Sequence, residues 1–255
     1  MMKIRILGSG TSTGVPEVGC TCPVCTSTDP RDNRLRTSAL VHTDDAVILI
    51  DCGPDFREQM LRTPAFERID GVLITHEHYD HVGGLDDLRP FCRLGEIPIH
   101  ADSYTANHLR ARMPYCFVEQ TYPGVPRIYL QETEAGRAFH IHGTEVLPLR
   151  VMHGKLPILG YRINHRLGYI TDMLTMPDES YKALQGVDVL IINALRQKPH
   201  PTHQSIAEAQ QVARQIGAKR TYFIHMSHHA GLHADIQQQL PPNMFFAYDG
   251  LEIDL

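Results

Sequence analysis

The stretch Asp70-Gly71-Val72-Leu73-Ile74-Thr75-His76-Glu77-His78-Tyr79-Asp80-His81 decides how this chain folds and what it holds. Its first half is an apolar run of strand-forming residues and reads as a buried strand over Gly71–Ile74. Its second half sets three imidazoles and a carboxylate at the strand's end. There a rigid backbone opens into a loop, and side chains converge on a point without filling a core. His76 and His78 stand two residues apart and so share one side of an extended segment. Asp80 and His81 fall where the chain turns and reach a second point nearby. Two adjacent sets of imidazole and carboxylate ligands suit two divalent cations and metal-assisted hydrolysis.

Outward from this stretch the first half reads as strands joined by short turns. Met2–Leu7, Ser38–His42 and Ala46–Ile50 come before it, and Asp51-Cys52-Gly53-Pro54 ends the third. Arg57–Leu61 looks helical, Pro98–Ala101 is a short strand, and Ser103–Arg112 is a helix closed by Pro114. The span Cys116–His142 has no clear period, and the apolar stretch Tyr115–Tyr129 suits a homodimer surface. Glu145–Val151, Gly160–Ile163 and Gly168–Ile170 follow as strands. Strand and helix then alternate through Val187–Ile192, Ile206–Ile216, Thr221–Ile224, Ala234–Leu240 and Phe245–Tyr248. In the Ile206 helix, Ile206, Ala209, Ala213 and Ile216 make one apolar stripe, with Thr202 placed to cap its start and Gly217 its end. This pattern predicts an α+β protein with two mixed or antiparallel sheets packed face to face and helices outside. No repeat or linker interrupts it, so residues 1–255 read as one domain.

Composition narrows the function. An apolar fraction of 42% and a charged fraction of 21% are those of a globular chain with a sizeable core. A formal net charge of −5 argues against nucleic acid and anionic membrane as partners, both of which favour a concentrated basic surface. No apolar stretch reaches the length of a membrane span, and the N-terminus alternates like a strand rather than a signal peptide. The expected location is the cytoplasm. There the six cysteines do not read as a disulfide framework. Cys52, Cys92 and Cys116 read as small packing residues. Cys20-Thr21-Cys22-Pro23-Val24-Cys25 offers three thiolates suited to tetrahedral zinc, one ligand short.

A dinuclear site needs more ligands than the opening stretch supplies. His153 follows Leu149-Arg150-Val151-Met152, Asp172 follows Leu167-Gly168-Tyr169-Ile170-Thr171, and His225 follows Arg220-Thr221-Tyr222-Phe223-Ile224. Each stands at the end of an apolar run. With these residues in this order, the chain resembles the metallo-β-lactamase-fold hydrolase superfamily over essentially its full length. The resemblance implies a four-layer αβ/βα sandwich with metals at one edge. It implies one cation on His76, His78 and His153, a second on Asp80, His81 and His225, and Asp172 bridging both. Asp51 matches the family's aspartate that orients a ligand imidazole, though it equally reads as a turn-former before Gly53.

One branch is resembled in particular. Leu7-Gly8-Ser9-Gly10-Thr11, Gly14-Val15-Pro16, the cysteine loop, His203, Ile224-His225-Met226-Ser227-His228 and Tyr248-Asp249-Gly250-Leu251-Glu252-Ile253 look like the cyclic phosphodiesterase of bacterial phosphonate breakdown. The resemblance supplies His228 as the fourth ligand of a structural zinc on a loop at about 19–26, with His229 as the rival. The cations expected at the catalytic pair are Mn, Zn or Fe. The implied function is hydrolysis of a small phosphodiester, cyclic or linear, by a metal-bridging hydroxide. Asp80 then both ligates and orients the nucleophile, and His203 is the candidate general acid, or else an exposed residue beside the Thr202 cap. The loops around Arg89–Leu94 and Ala194–His203 are expected to line the pocket, with Arg196, Lys198 and His200 near a second phosphate. The alternatives are a thioester or lactam hydrolase, a relative of the pyrroloquinoline-quinone-biosynthesis branch, and a non-catalytic zinc-stabilised binding protein.

Overall fold

Each half of the chain builds most of one seven-stranded sheet, and the last strand crosses back to the first. The structure, a computed structural model, describes residues 2–117 and 124–255. The first sheet takes β1 (Lys3–Gly8), β2 (Ser38–His42), β3 (Val47–Ile50), β4 (Gly71–Leu73), β5 (Ile97–Ala101) and β6 (Ile128–Glu132). The second takes β7 (Phe139–Ile141), β8 (Thr144–His153), β9 (Leu156–Ile163), β10 (Leu167–Ile170), β11 (Val189–Asn193), β12 (Arg220–Ile224) and β13 (Met244–Phe246). The final strand, β14 (Glu252–Asp254), pairs with β1. Both sheets are mixed. β3 to β6 run parallel, as do β10 to β13, and the remaining pairs are antiparallel.

Three apolar layers hold the sandwich. Between the sheets, Ile4, Ile6, Ile48 and Ile50 meet Tyr161, Tyr169, Ile191 and Ile224. The outer face of the second sheet packs against α4 (Asp178–Leu184), α5 (Ile206–Ile216) and α6 (His233–Gln237) through Leu184, the Ile206–Ala209–Ala213–Ile216 stripe and Ile236. The outer face of the first packs against α1 (Phe56–Leu61), the short α2 (Tyr79–Val82) and α3 (Ser103–Arg112) through Phe56, Val82 and Leu109. Helices thus cover both faces of the sheet pair, which is the expected four-layer α+β sandwich. Each fully buried aliphatic side chain contributes about 1.5–3 kcal/mol.

Several local expectations shift. Ser205, not Thr202, caps α5: its hydroxyl accepts from the Glu208 amide while the Glu208 carboxylate accepts from the Ser205 amide. Ser205-Ile206-Ala207-Glu208 is the capping-box signature, legible in the sequence. β8 runs on to include His153, and β9 starts four residues earlier than the sequence suggests, at Leu156. Cys52, Cys92 and Cys116 are buried in the layer under α1 and α3. The centre of the suggested dimer surface, residues 118–123, lies outside the described residues. Among the described residues no helix is long and apolar enough to cross a membrane.

Candidate metal centre

The sequence-predicted ligands come together at one edge of the sandwich. Asp51 follows β3, His76 and His78 follow β4, Asp80 and His81 lie in α2, Asp172 follows β10, and His225 follows β12. All except His153, the last residue of β8, stand beyond the carboxyl ends of parallel strands, the edge where α/β sheets place ligands. Two hydrogen bonds from the second sheet hold the β4 exit in place. The Leu159 amide donates to the Thr75 carbonyl at 2.9 Å, and the Tyr161 hydroxyl donates to the Ile74 carbonyl at 2.6 Å.

The backbone is strained where it presents these groups. Asp51, Asp172 and His225 have φ of 58°, 54° and 56°, a left-handed conformation that side chains rarely adopt. Each turns a side chain inward directly beyond a strand, at a cost the surrounding packing has to offset. Gly53 completes the arrangement. A Cβ there would lie 2.0 Å from the Asp80 carbonyl oxygen, so only glycine lets the Asp51 turn lie against α2.

The side chains form two groups joined by Asp172. Ligand atoms of His76, His78 and His153 lie within 4.8 Å of one another, as do those of Asp80, His81 and His225, while Asp172 falls within that range of His76 and His81. His81 Nε2 is 3.2 Å from Asp80 Oδ2 and 3.3 Å from Asp172 Oδ2, and His225 Nε2 is 3.1 Å from Asp172 Oδ1. Both nitrogens are buried and make no hydrogen bond. Separations of about 3.0–3.4 Å are those of two ligands on one cation with bonds of ~2.1 Å. The donor set therefore fits two divalent cations sharing Asp172.

The electrostatics point the same way. Burial pushes the Asp80 and Asp172 carboxyls up, but His81 and His225 outweigh it and hold both well below the usual range. Burial drives His76 well down, with His81 adding to the effect. His81 goes the other way: burial opposes its charge, and Asp80, Asp172 and Asp51 override it. The carboxylates packed this densely draw positive charge to the centre.

Partners behind the ligands fix their tautomers. His81 Nδ1–H donates to Asp51 Oδ2 at 2.7 Å, leaving the Nε2 lone pair for a metal. The Thr75 hydroxyl donates to Asp51 Oδ2 at 2.9 Å, so it accepts from His76 Nδ1 at 3.0 Å and frees that ring's Nε2. His153 Nδ1 donates to the Thr202 carbonyl at 3.0 Å. Asp51 is thus bonded to a ligand imidazole as well as ending β3. Thr75 and Thr202 carry no ligand signature, and the sequence reading missed both roles.

His203 is buried, with its Nδ1 3.6 Å from Asp172 Oδ1 and no hydrogen bond. Its ring lies 4.6 Å from that of His153 and 5.0 Å from that of His225. Burial, then His225, pulls it down to about 3. It is not an exposed first-turn residue. Of the loops expected around the centre, Ala194–His203 approaches it, whereas Pro90 and Phe91 line a separate apolar groove with Phe56, Met60 and Phe66.

A second cluster lies close by. Cys20, Cys22, Cys25 and His228 place ligand atoms within 4.8 Å of one another, with His228 Nδ1 3.2 Å from Cys20 Sγ and 3.3 Å from Cys22 Sγ. His228, rather than its neighbour His229, faces the thiols. The Cys25 amide, then the His228 ring, lowers Cys22 to about 6. Only Met226 and Ser227 separate His225 from His228, and Met226 is paired by backbone bonds to Ser9 and Thr11.

Fold and paired clusters define the metallo-β-lactamase class, and the beta-lactamase superfamily domain matches residues 47–226; the chain belongs to that superfamily. A diphosphatase of the PhnP family superimposes with a TM-score of 0.91 at 40% identity, covering 99% of this chain and 96% of that one. This chain belongs with that family. The octanoyltransferase of Porphyromonas gingivalis is 47% identical over 98% of this chain, yet the chain spans only 51% of that protein's length. Zn²⁺-bound PqqB of Methylobacterium extorquens shares the fold, with a TM-score of 0.79 and 20% identity over 99% of this chain and 100% of that one.

Proposed function

We propose that the chain is a dinuclear-metal phosphoryl hydrolase acting on a small phosphodiester, cyclic or linear. The observation that carries this is the pair of ligand groups joined through Asp172 at one sheet edge. His76, His78 and His153 would hold one cation, and Asp80, His81 and His225 the other. Bound divalent cations supply an acidified water and neutralise charge on phosphoryl oxygens. The chain's own contribution is orientation. Asp51 and Thr75 set the ligand rings, and Asp80 would accept a hydrogen bond from the attacking water. His203, packed on the His153 and His225 rings beside Asp172, is the group that would give the leaving alkoxide a proton. It is neutral in the free site and would have to take that proton from solvent as a phosphoryl anion binds and opposes the pull that lowers it. Cys20, Cys22, Cys25 and His228 would hold a structural zinc. Similarity to a diphosphatase supports chemistry at phosphorus.

A second reading rests on the 47% identity to a protein named for octanoyl transfer. In that reading the same centre hydrolyses an acyl thioester. Purified protein loaded with Mn²⁺ or Zn²⁺ separates the two. Turnover of bis-p-nitrophenyl phosphate or a cyclic nucleotide supports the first; octanoyl-thioester turnover without either overturns it.

A further inference from the structure

We propose that Asn193 is a positioning residue for the metal bridge: its side chain holds the turn that aims Asp172 at both cations. This rests on the dinuclear reading above and deepens it. β11 lies between β10 and β12 in the second sheet. Asp172 and His225 follow those two flanking strands, whereas β11 ends in Asn193, a residue outside both ligand groups. Asn193 is fully buried.

The need for such a residue follows from the backbone. The parallel ladder between β10 and β11 runs from Leu167 beside Val189 to Ile170 beside Ile192 and stops there. Asp172, at φ 54°, turns the chain out of the strand, so Met173 has no ladder partner for its peptide groups. Met173 is itself fully buried, where an unpaired N–H or C=O is costly. The Asn193 side chain takes the ladder's place. Its Oδ1 accepts from the Met173 amide at 2.8 Å, and its Nδ2 donates to the Met173 carbonyl at 3.0 Å. A carboxamide presents an acceptor and a donor side by side, as a neighbouring strand would. The Thr171 hydroxyl donates to Asp172 Oδ2 at 2.6 Å and orients the carboxylate, while Asn193 fixes the backbone from which it hangs. The Met173 carbonyl also accepts from the Gln204 amide at 3.0 Å, and the Gln204 carbonyl accepts from the Leu195 amide at 2.9 Å. Gln204 directly follows His203, so the residue that Asn193 grips also joins the Asp172 turn to the His203 loop.

The test uses two variants of the full chain. Asn193→Leu removes both bonds at nearly constant volume, and Asn193→Ala removes them without crowding the site. Urea unfolding checks that each variant folds. Mn²⁺ suits the imidazole and carboxylate groups rather than the thiols. Its affinity by competition with a chelating dye, and the electron paramagnetic resonance of the loaded protein, report on the bridge without any turnover. Wild type should bind two Mn²⁺ in these groups and show a spin-coupled pair. Both variants should bind Mn²⁺ about tenfold more weakly or worse and show the spectrum of isolated ions, a change that a loss of stability alone does not produce. Wild-type affinity and coupling in either folded variant overturns the proposal. Failure of both variants to fold assigns Asn193 to the fold alone and overturns it as well. Wild type that binds fewer than two Mn²⁺ overturns the dinuclear reading and this inference with it, whereas wild-type behaviour in the variants overturns the inference alone.

Discussion

His81 Nδ1 lies 2.7 Å from Asp51 Oδ2, and both side chains are wholly buried. The same carboxylate accepts from the Thr75 hydroxyl, which in turn accepts from His76. One buried aspartate thereby sets the tautomer of a histidine in each ligand group. Asn tolerates the left-handed backbone at 51, so Asp51→Asn tests the charge and acceptor rather than the fold. It should weaken both cations about 10- to 100-fold by competition with a chelating dye. Thr75→Val removes only the branch to His76 and should weaken one. Loss confined to one cation in Asp51→Asn would show that the Thr75 branch does nothing.

Gly53 sits where a methyl group would meet the Asp80 carbonyl at 2.0 Å. Neither backbone can yield without shifting α2, which carries Asp80 and His81. Gly53→Ala should cost at least about 2 kcal/mol in urea unfolding and lower affinity for the cation on Asp80. Wild-type stability in this variant would mean that α2 moves freely.

The thiol cluster makes a separable prediction. Cys22→Ser leaves Cys20, Cys25 and His228 but removes one ligand of a four-ligand site. Metal analysis should show about one zinc lost per chain while the catalytic pair stays. Retention of all the metal would rule the site out.

The ligand types were legible because each follows an apolar strand run, a pattern written in consecutive residues. Ligands at strand ends also give the sheet edge, and with it most of the sandwich. What stayed hidden depends on distant partners. Thr75 looks like any strand-end threonine until Asp51, 24 residues earlier in the chain, reaches its hydroxyl. The paths of loops were equally unreadable. Arg89–Leu94 resembles a pocket rim, yet Phe91 and Cys92 fill the layer under α1. Strand β14 has three residues, too few for a period, and exists because β1 offers it an edge.

A buried carboxylate away from the metals gives a pH prediction. Asp249 accepts from the Ser9 amide and hydroxyl and from the Leu35 amide; burial raises it to about 6, against these bonds and Arg34. The native state then keeps its proton over a window, from about pH 4 to pH 6, in which the unfolded chain has lost it. Stability from this group therefore falls as pH rises through that window, by about 3 kcal/mol at most. Asp249→Asn is less stable throughout, having lost an acceptor, but its deficit relative to wild type should shrink between pH 4 and pH 7. Urea unfolding of both proteins across that range measures it, and a widening gap would reverse the assignment.

His203 provides the sharpest kinetic test. A proton donor matters when the leaving alkoxide is basic and hardly at all when it is stable. His203→Ala should therefore reduce kcat by about 100-fold or more on a cyclic nucleotide, whose leaving group is a sugar alkoxide. On bis-p-nitrophenyl phosphate the same change should cost far less, because p-nitrophenolate departs without a proton. An equal loss on both would assign His203 to binding the phosphoryl group rather than protonating the leaving group. Its ring, stacked 5.0 Å from His225 and 3.6 Å short of Asp172 through Nδ1, would then act as a wall of the site. No loss on either would remove it from the reaction, leaving protonation to water.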